Sequence, residues 1–112
     1  MSQTTKAKGD YFEKLACVYL QDRGFSIIET NYYAKKLGEI DIIAKKNNIY
    51  HFVEVKSGSS FEAVYNITPL KLKKLYKSIE YYLKVKNLSV EYSVDAIIFA
   101  NNQVEYLENI SL

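Results

Sequence analysis

Two strand-like runs, Gly38 to Lys45 and Ile49 to Lys56, flank the polar turn Lys45-Lys46-Asn47-Asn48. A connection this short permits antiparallel pairing only, since parallel strands need a crossover of a dozen residues or more. The resulting hairpin carries charge where a buried strand is normally apolar. Gly38-Glu39-Ile40-Asp41 opens the first arm, and Phe52-Val53-Glu54-Val55-Lys56 closes the second. Charged side chains are seldom buried unless they are paired or bind a metal.

Side chains alternate faces along a strand. Glu39 and Asp41 therefore share one face of the first arm, with Ile40, Ile42 and Ala44 on the other. On the second arm Tyr50, Phe52, Glu54 and Lys56 lie opposite Ile49, His51, Val53 and Val55. A register that sets Asp41 beside Glu54 gathers two carboxylates and one ammonium. A slip of one residue would send the acids to opposite faces. The gathered set suits a hard divalent cation, Mg²⁺ or Mn²⁺, with oxygens from Asp41 and Glu54 and a third from the Val55 carbonyl. Lys56 would orient a metal-activated water or stabilise negative charge developing on a phosphate. Glu13, near the edge of the first helix's apolar stripe, is a candidate further acid. The candidates are thus Asp41, Glu54 and Lys56 for catalysis, and Glu13, Asp41, Glu54 and Val55 for the metal. The competing reading is a buried structural ion pair, which contributes little net stability.

The rest of the chain frames this hairpin. Phe12, Leu15, Ala16, Tyr19 and Leu20 recur at helical spacing and predict a helix from about Lys6 to Arg23, stopped at Gly24. Phe25 to Tyr33 reads as a strand. Ser57 to Asn66 reads as a loop placed to gate the site. Thr68 caps a second helix, with Pro69 in its first turn and Leu72, Leu75, Tyr76, Ile79, Tyr82 and Leu83 as its apolar stripe. Val90 to Ala100 is a further strand and Gln103 to Leu107 a short edge strand. The order α-β-β-β-α-β-β predicts an α/β fold, a mixed central sheet flanked by helices, forming one domain over residues 1–112.

Composition narrows the field. At 48% hydrophobic and 25% charged residues, the chain can bury a core without staples. Its net charge of +2 does not by itself mark a nucleic-acid binder. Lys71, Lys73, Lys74, Lys77, Lys84 and Lys86 put a basic face on the second helix, while Lys35-Lys36 and Lys45-Lys46 flank the first hairpin arm. Lys35, Lys36 and Lys74 are the expected nucleic-acid contacts; a solvated basic face is the plain alternative. Among the aromatics, Tyr32 and Tyr33 are placed to stack on splayed bases. His51 reads as a hydrogen-bonded structural histidine, and Cys17 as a small core residue. No apolar run reaches membrane-span length and the N-terminus lacks an apolar signal core, so a cytoplasmic protein without membrane partners is expected.

The hairpin motif, Gly38-Glu39-Ile40-Asp41 followed by Phe52-Val53-Glu54-Val55-Lys56, resembles the PD-(D/E)XK nuclease signature of the restriction-endonuclease-like fold. More narrowly, the chain is similar to the YraN-like family of predicted endonucleases, which resemble archaeal Holliday-junction resolvases. The similarity covers nearly the whole chain and includes Gly9, Glu13, Asn31, Thr68, Lys71 and Asp95. It implies a restriction-endonuclease-like fold, with Glu13, Asp41 and Glu54 as the acidic cluster and Lys56 as the catalytic lysine. It further implies Glu39 as an auxiliary acid and Lys71 as a site-facing base or phosphate contact. The chain departs from the family pattern at Gly58 and Ser93, where arginines are usual. Loss of both puts substrate affinity in question more than metal binding.

The function implied is a Mg²⁺- or Mn²⁺-dependent endonuclease hydrolysing DNA phosphodiester bonds. So small a domain leaves little room for base-specific reading, so selection by DNA structure is expected, with a homodimer addressing two strands. The alternative is a non-catalytic nucleic-acid-binding module on the same fold; metal binding that depends on Asp41 and Glu54 separates the two. A protein-interaction domain would show no salt-dependent DNA binding at all.

Overall fold

The computed structural model describes residues 5–60 and 68–110. The chain forms α1 (Thr5–Asp22), β1 (Ser26–Tyr33), β2 (Glu39–Lys46), β3 (Ile49–Gly58), α2 (Pro69–Val85), β4 (Tyr92–Ala100) and β5 (Gln103–Leu107). The strands lie in one sheet in chain order, β1-β2-β3-β4-β5. Every pairing is antiparallel except β3–β4, which is parallel and spanned by α2. Of the expected gating loop, residues 57 and 58 instead extend β3, and residues 61–66 lie outside those described.

Local chemistry explains the joints. Two hairpins turn on two residues each, Asn47-Asn48 (φ 53 and 64) and Asn101-Asn102 (φ 54 and 57). Two-residue loops of this hand need positive φ twice, and Asn tolerates it better than other non-glycine residues. At α2, Thr68 Oγ1 accepts from Lys71 N at 3.2 Å, with Pro69 in the first turn.

Each helix covers one face of the sheet. Ala16 and Leu20 of α1 pack with Phe25, Ile42, Ala44, Val53 and Ile97. Leu75, Ile79 and Tyr82 of α2 pack with Ile40, Ile43, Phe52 and Val94. These two lists correct one expectation: Ile40 does not share a face with Ile42 and Ala44. The phase changes at Asp41. The β2–β3 ladder runs from Lys46↔Ile49 to Ile42↔Val53 and ends there. Beyond it the Asp41 side chain takes over, with Oδ2 accepting from Val55 N at 2.8 Å.

Gly38 fixes the entry to β2. A 3-10 turn at Lys35–Leu37 precedes it, and its carbonyl accepts from Ala34 N at 2.8 Å. Its φ is 145, a region nearly reserved for glycine, and a Cβ there would stand 3.0 Å from Oγ of the fully buried Ser78. Gly38→Ala is therefore expected to destabilise the protein by about 1–3 kcal/mol in denaturant titration. An unchanged midpoint would show that this close approach is not needed.

Candidate active site

β1 and β2 pair with Thr30 against Ile42 and Tyr32 against Ile40, which sets Asn31 against Asp41. Glu39 leads β2, and Glu13 reaches the same place from the first half of α1. Carboxylate oxygens of Glu13, Glu39 and Asp41 all lie within 4.8 Å of one another. They line a cavity of about 430 Å³ together with Asn31, Tyr33, Val55 and Ser57. Asn31 adopts φ 51. Because carboxylates only accept, its amide is oriented with Nδ2 toward them, donating to Glu39 Oε1 at 2.7 Å and Glu13 Oε1 at 2.8 Å.

Glu54 stands beside this triad. Its charge acts on both Asp41 and Glu13, and Lys56 Nζ lies 3.5 Å from its Oε1. Lys71, exposed in the first turn of α2, also favours the charged form of Glu54. Lys35 and Lys36 are exposed on the 3-10 turn just before Glu39, and Lys74 is exposed on α2. The two neighbouring tyrosines part company. Tyr32 packs edge-on against Tyr82 at 4.9 Å between ring centroids, whereas Tyr33 is 71% exposed on the cavity rim.

The acids hold protons unusually well. Burial, and then the charge of Glu54, push the Asp41 carboxyl up to about 7, against the opposing Val55 N–H. Glu13 is raised by burial and then by Glu39 and Asp10, with Asn31 opposing. Glu54 is raised by burial, with Lys56 the largest influence holding it down. A shared pocket of hard oxygens, whose negative charges resist one another, is a donor set that fits a hard divalent cation. Reading the strands alone left out the Asn31 bridge between two acids. The available signal was an Asn, disfavoured in strands, between a Thr and two tyrosines.

A second polar group sits at the opposite end of the sheet. The fully buried Asp95 receives His51 Nδ1 at 2.6 Å and Ser93 Oγ at 2.6 Å, the Asn109 N–H at 2.9 Å and the Tyr106 hydroxyl. Burial and Asp95 together push the Tyr106 phenol up. Ser93 thus serves Asp95. Gly58 ends β3 opposite Ala100. Cys17 is half-buried against the α1 core. Among the described residues, no helix is long and apolar enough to cross a membrane.

The family model for "Uncharacterised protein family UPF0102" matches residues 12–99. A UPF0102 protein of Sulfurovum is 50% identical over 113 residues, covering 100% of both chains. One from Wolinella succinogenes is 52% identical over 108 residues, 96% of this chain and 99% of the relative. One from Helicobacter pylori is 47% identical over 106 residues, 95% and 92% respectively. Among solved structures, that of Hjc, a Holliday junction resolvase from the archaeal hyperthermophile Archaeoglobus fulgidus, aligns with a TM-score of 0.59 at 16% identity. The alignment covers 89% of this chain and 71% of Hjc. At that identity the likeness is one of fold: a mixed five-stranded sheet with two helices, of restriction-endonuclease-like type.

Proposed function

The chain belongs to the uncharacterised protein family UPF0102, and from that premise we propose that it is a Mg²⁺- or Mn²⁺-dependent endonuclease that hydrolyses DNA phosphodiester bonds. The observation that carries this is the convergence of Glu13, Glu39 and Asp41 in one cavity with the Glu54–Lys56 pair beside it. The resolvase named among the fold neighbours supports a branched DNA as the substrate class.

Glu13, Glu39 and Asp41 would hold the ion, with Glu54 and the Val55 carbonyl as the adjoining oxygens. When bound, such an ion lowers the pKa of a water and offsets charge on the attacked phosphate. Lys56 stabilises the negative charge that develops on the phosphate oxygens. Asn31 keeps Glu13 and Glu39 oriented without neutralising them. Lys35, Lys36, Lys71 and Lys74 hold flanking phosphates, and Tyr33 offers its exposed ring to an unpaired base. In this reading the protein is a cytoplasmic nuclease domain over residues 1–112, acting as a homodimer so that two sites meet two strands.

The test is cleavage of labelled duplex, single-stranded, flap and four-way-junction DNAs with Mg²⁺, with Mn²⁺ and with chelator. Cutting of at least one branched DNA is expected with either metal, and none with chelator. Salt-sensitive gel shifts without cutting would replace the nuclease by a DNA-binding module. Neither cutting nor shifting would remove nucleic acid from the reading.

A further inference from the structure

A larger cleft, of about 860 Å³, opens at the other end of the sheet, where β2 ends and β3 begins. The α1 helix separates it from the acid cavity; Glu13 and Arg23 lie about 15 Å apart along the helix axis. His51 lines this cleft and is only 5% exposed. Its tautomer follows from its partner. Asp95 already accepts from Ser93, Tyr106 and Asn109, so it stands toward His51 as a further acceptor. The proton between the two side chains is therefore on His51 Nδ1, which leaves Nε2 without a protein partner. Among the described residues, no side-chain nitrogen or oxygen is both buried and unpaired. Nε2 must therefore reach the cleft.

Two cations share that cleft, both held in place by neutral groups. The Arg23 guanidinium lies 3.6 Å over the Tyr19 ring. Lys46 Nζ donates to the Arg23 carbonyl at 2.7 Å and lies 5.0 Å from the Phe25 ring centroid. Among the described residues neither cation forms an ion pair, although Glu91 and Glu108 line the same cleft. Placed cations that form no ion pair, beside one open imidazole nitrogen, are the chemistry of anion capture. The volume suits an organic ligand rather than a bare ion, and Tyr92, 39% exposed with its ring edge-on to Phe52, is an aromatic in the lining that could meet a base.

We propose that this cleft is a second binding site, for a phosphomonoester carried on a nucleoside, with Arg23 and Lys46 on the phosphate and His51 Nε2 at its floor. The ligand is either a free mononucleotide or the phosphorylated end of a nucleic-acid strand.

His51 is the one histidine of the chain, so its ring resonances report on the cleft without assignment. They would be followed in chelator, which keeps the acid cavity free of metal. The probes are inorganic phosphate, a nucleoside 5′-monophosphate, and an oligonucleotide with and without a 5′-phosphate. Saturable movement is expected with the phosphomonoesters. Arg23→Gln and Lys46→Gln should each weaken binding roughly tenfold or more, the loss of one charge-assisted contact. Tighter binding of the mononucleotide identifies the free ligand, and tighter binding of the phosphorylated strand identifies a strand end; both uphold the site. It is overturned if no probe moves the signals saturably, or if the Arg23→Gln, Lys46→Gln double variant responds like the wild type. Equal binding of the two oligonucleotides, or inorganic phosphate binding as tightly as the phosphomonoesters, overturns it as well.

Discussion

Lys56→Ala is expected to lower single-turnover cleavage by about 10²–10³-fold while leaving the chain folded, the usual cost of removing one group aimed at developing charge. This prediction rests on the proposed nuclease reading. The ammonium sits 3.5 Å from Glu54 Oε1, and both side chains are about a quarter exposed, 22% for Lys56 and 26% for Glu54. Lys56 is also what most restrains the proton affinity of the partly buried Glu54 carboxyl. Its removal therefore moves the acid limb of the pH–rate profile to higher pH, as well as lowering the plateau. Lys56→Arg keeps the charge but exchanges a compact ammonium for a planar fork, so an intermediate loss is expected. Rates measured across pH, with a thermal melt of each variant, decide the matter. A Lys56→Ala protein that cuts at the wild-type rate would take the lysine out of the chemistry.

The second large effect concerns stability. Asp41 has a folded-state pKa raised to about 7, by burial first and by Glu54 second. A raised pKa means that the native state holds the proton more tightly than the unfolded chain does. The stabilisation is then full below the unfolded value of about 3.9 and is lost as pH rises through about 7. Glu13 and Glu54 are raised too and add in the same direction. Without metal the protein should lose on the order of 2–4 kcal/mol between pH 4 and pH 8, each pKa unit being worth about 1.4 kcal/mol. Mg²⁺ or Mn²⁺ should reverse the loss, release protons on binding, and bind more tightly as pH rises. Asp41→Asn keeps an oxygen for the Val55 N–H but cannot ionise. It should flatten the pH dependence, exceed the wild type in stability at pH 8 in chelator, and gain little from metal. A wild-type melting temperature that climbs steadily from pH 4 to pH 8 in chelator would contradict this account.

Much of the frame was legible in the residues because its signals are local. The Lys45–Asn48 turn dictated the hairpin, Thr68-Pro69 marked the start of α2, and helical spacing brought Glu13 to the edge of its stripe. The PD-(D/E)XK resemblance added the fold itself, which the Hjc alignment bears out. What escaped depends on contacts across the chain. Strict alternation placed Ile40 with Ile42, but the ladder ends at Ile42↔Val53 and the strand changes phase at Asp41. Asn31 bridges acids 18 residues before it and eight after it, and no period in the sequence announces that. His51 and Asp95 are 44 residues apart and meet only because β3 and β4 run parallel.

Because the strands lie side by side in the order they are made, most pairing can follow synthesis directly, one neighbour at a time. The parallel seam is the exception: β3 must wait for α2 to be complete before β4 can seal it. Until β4 arrives β3 is an open edge, with the backbone groups that later face Val94 and Asp95 unpaired. Such an edge templates pairing with other chains, so the parallel seam is where an incomplete chain is most open to aggregation.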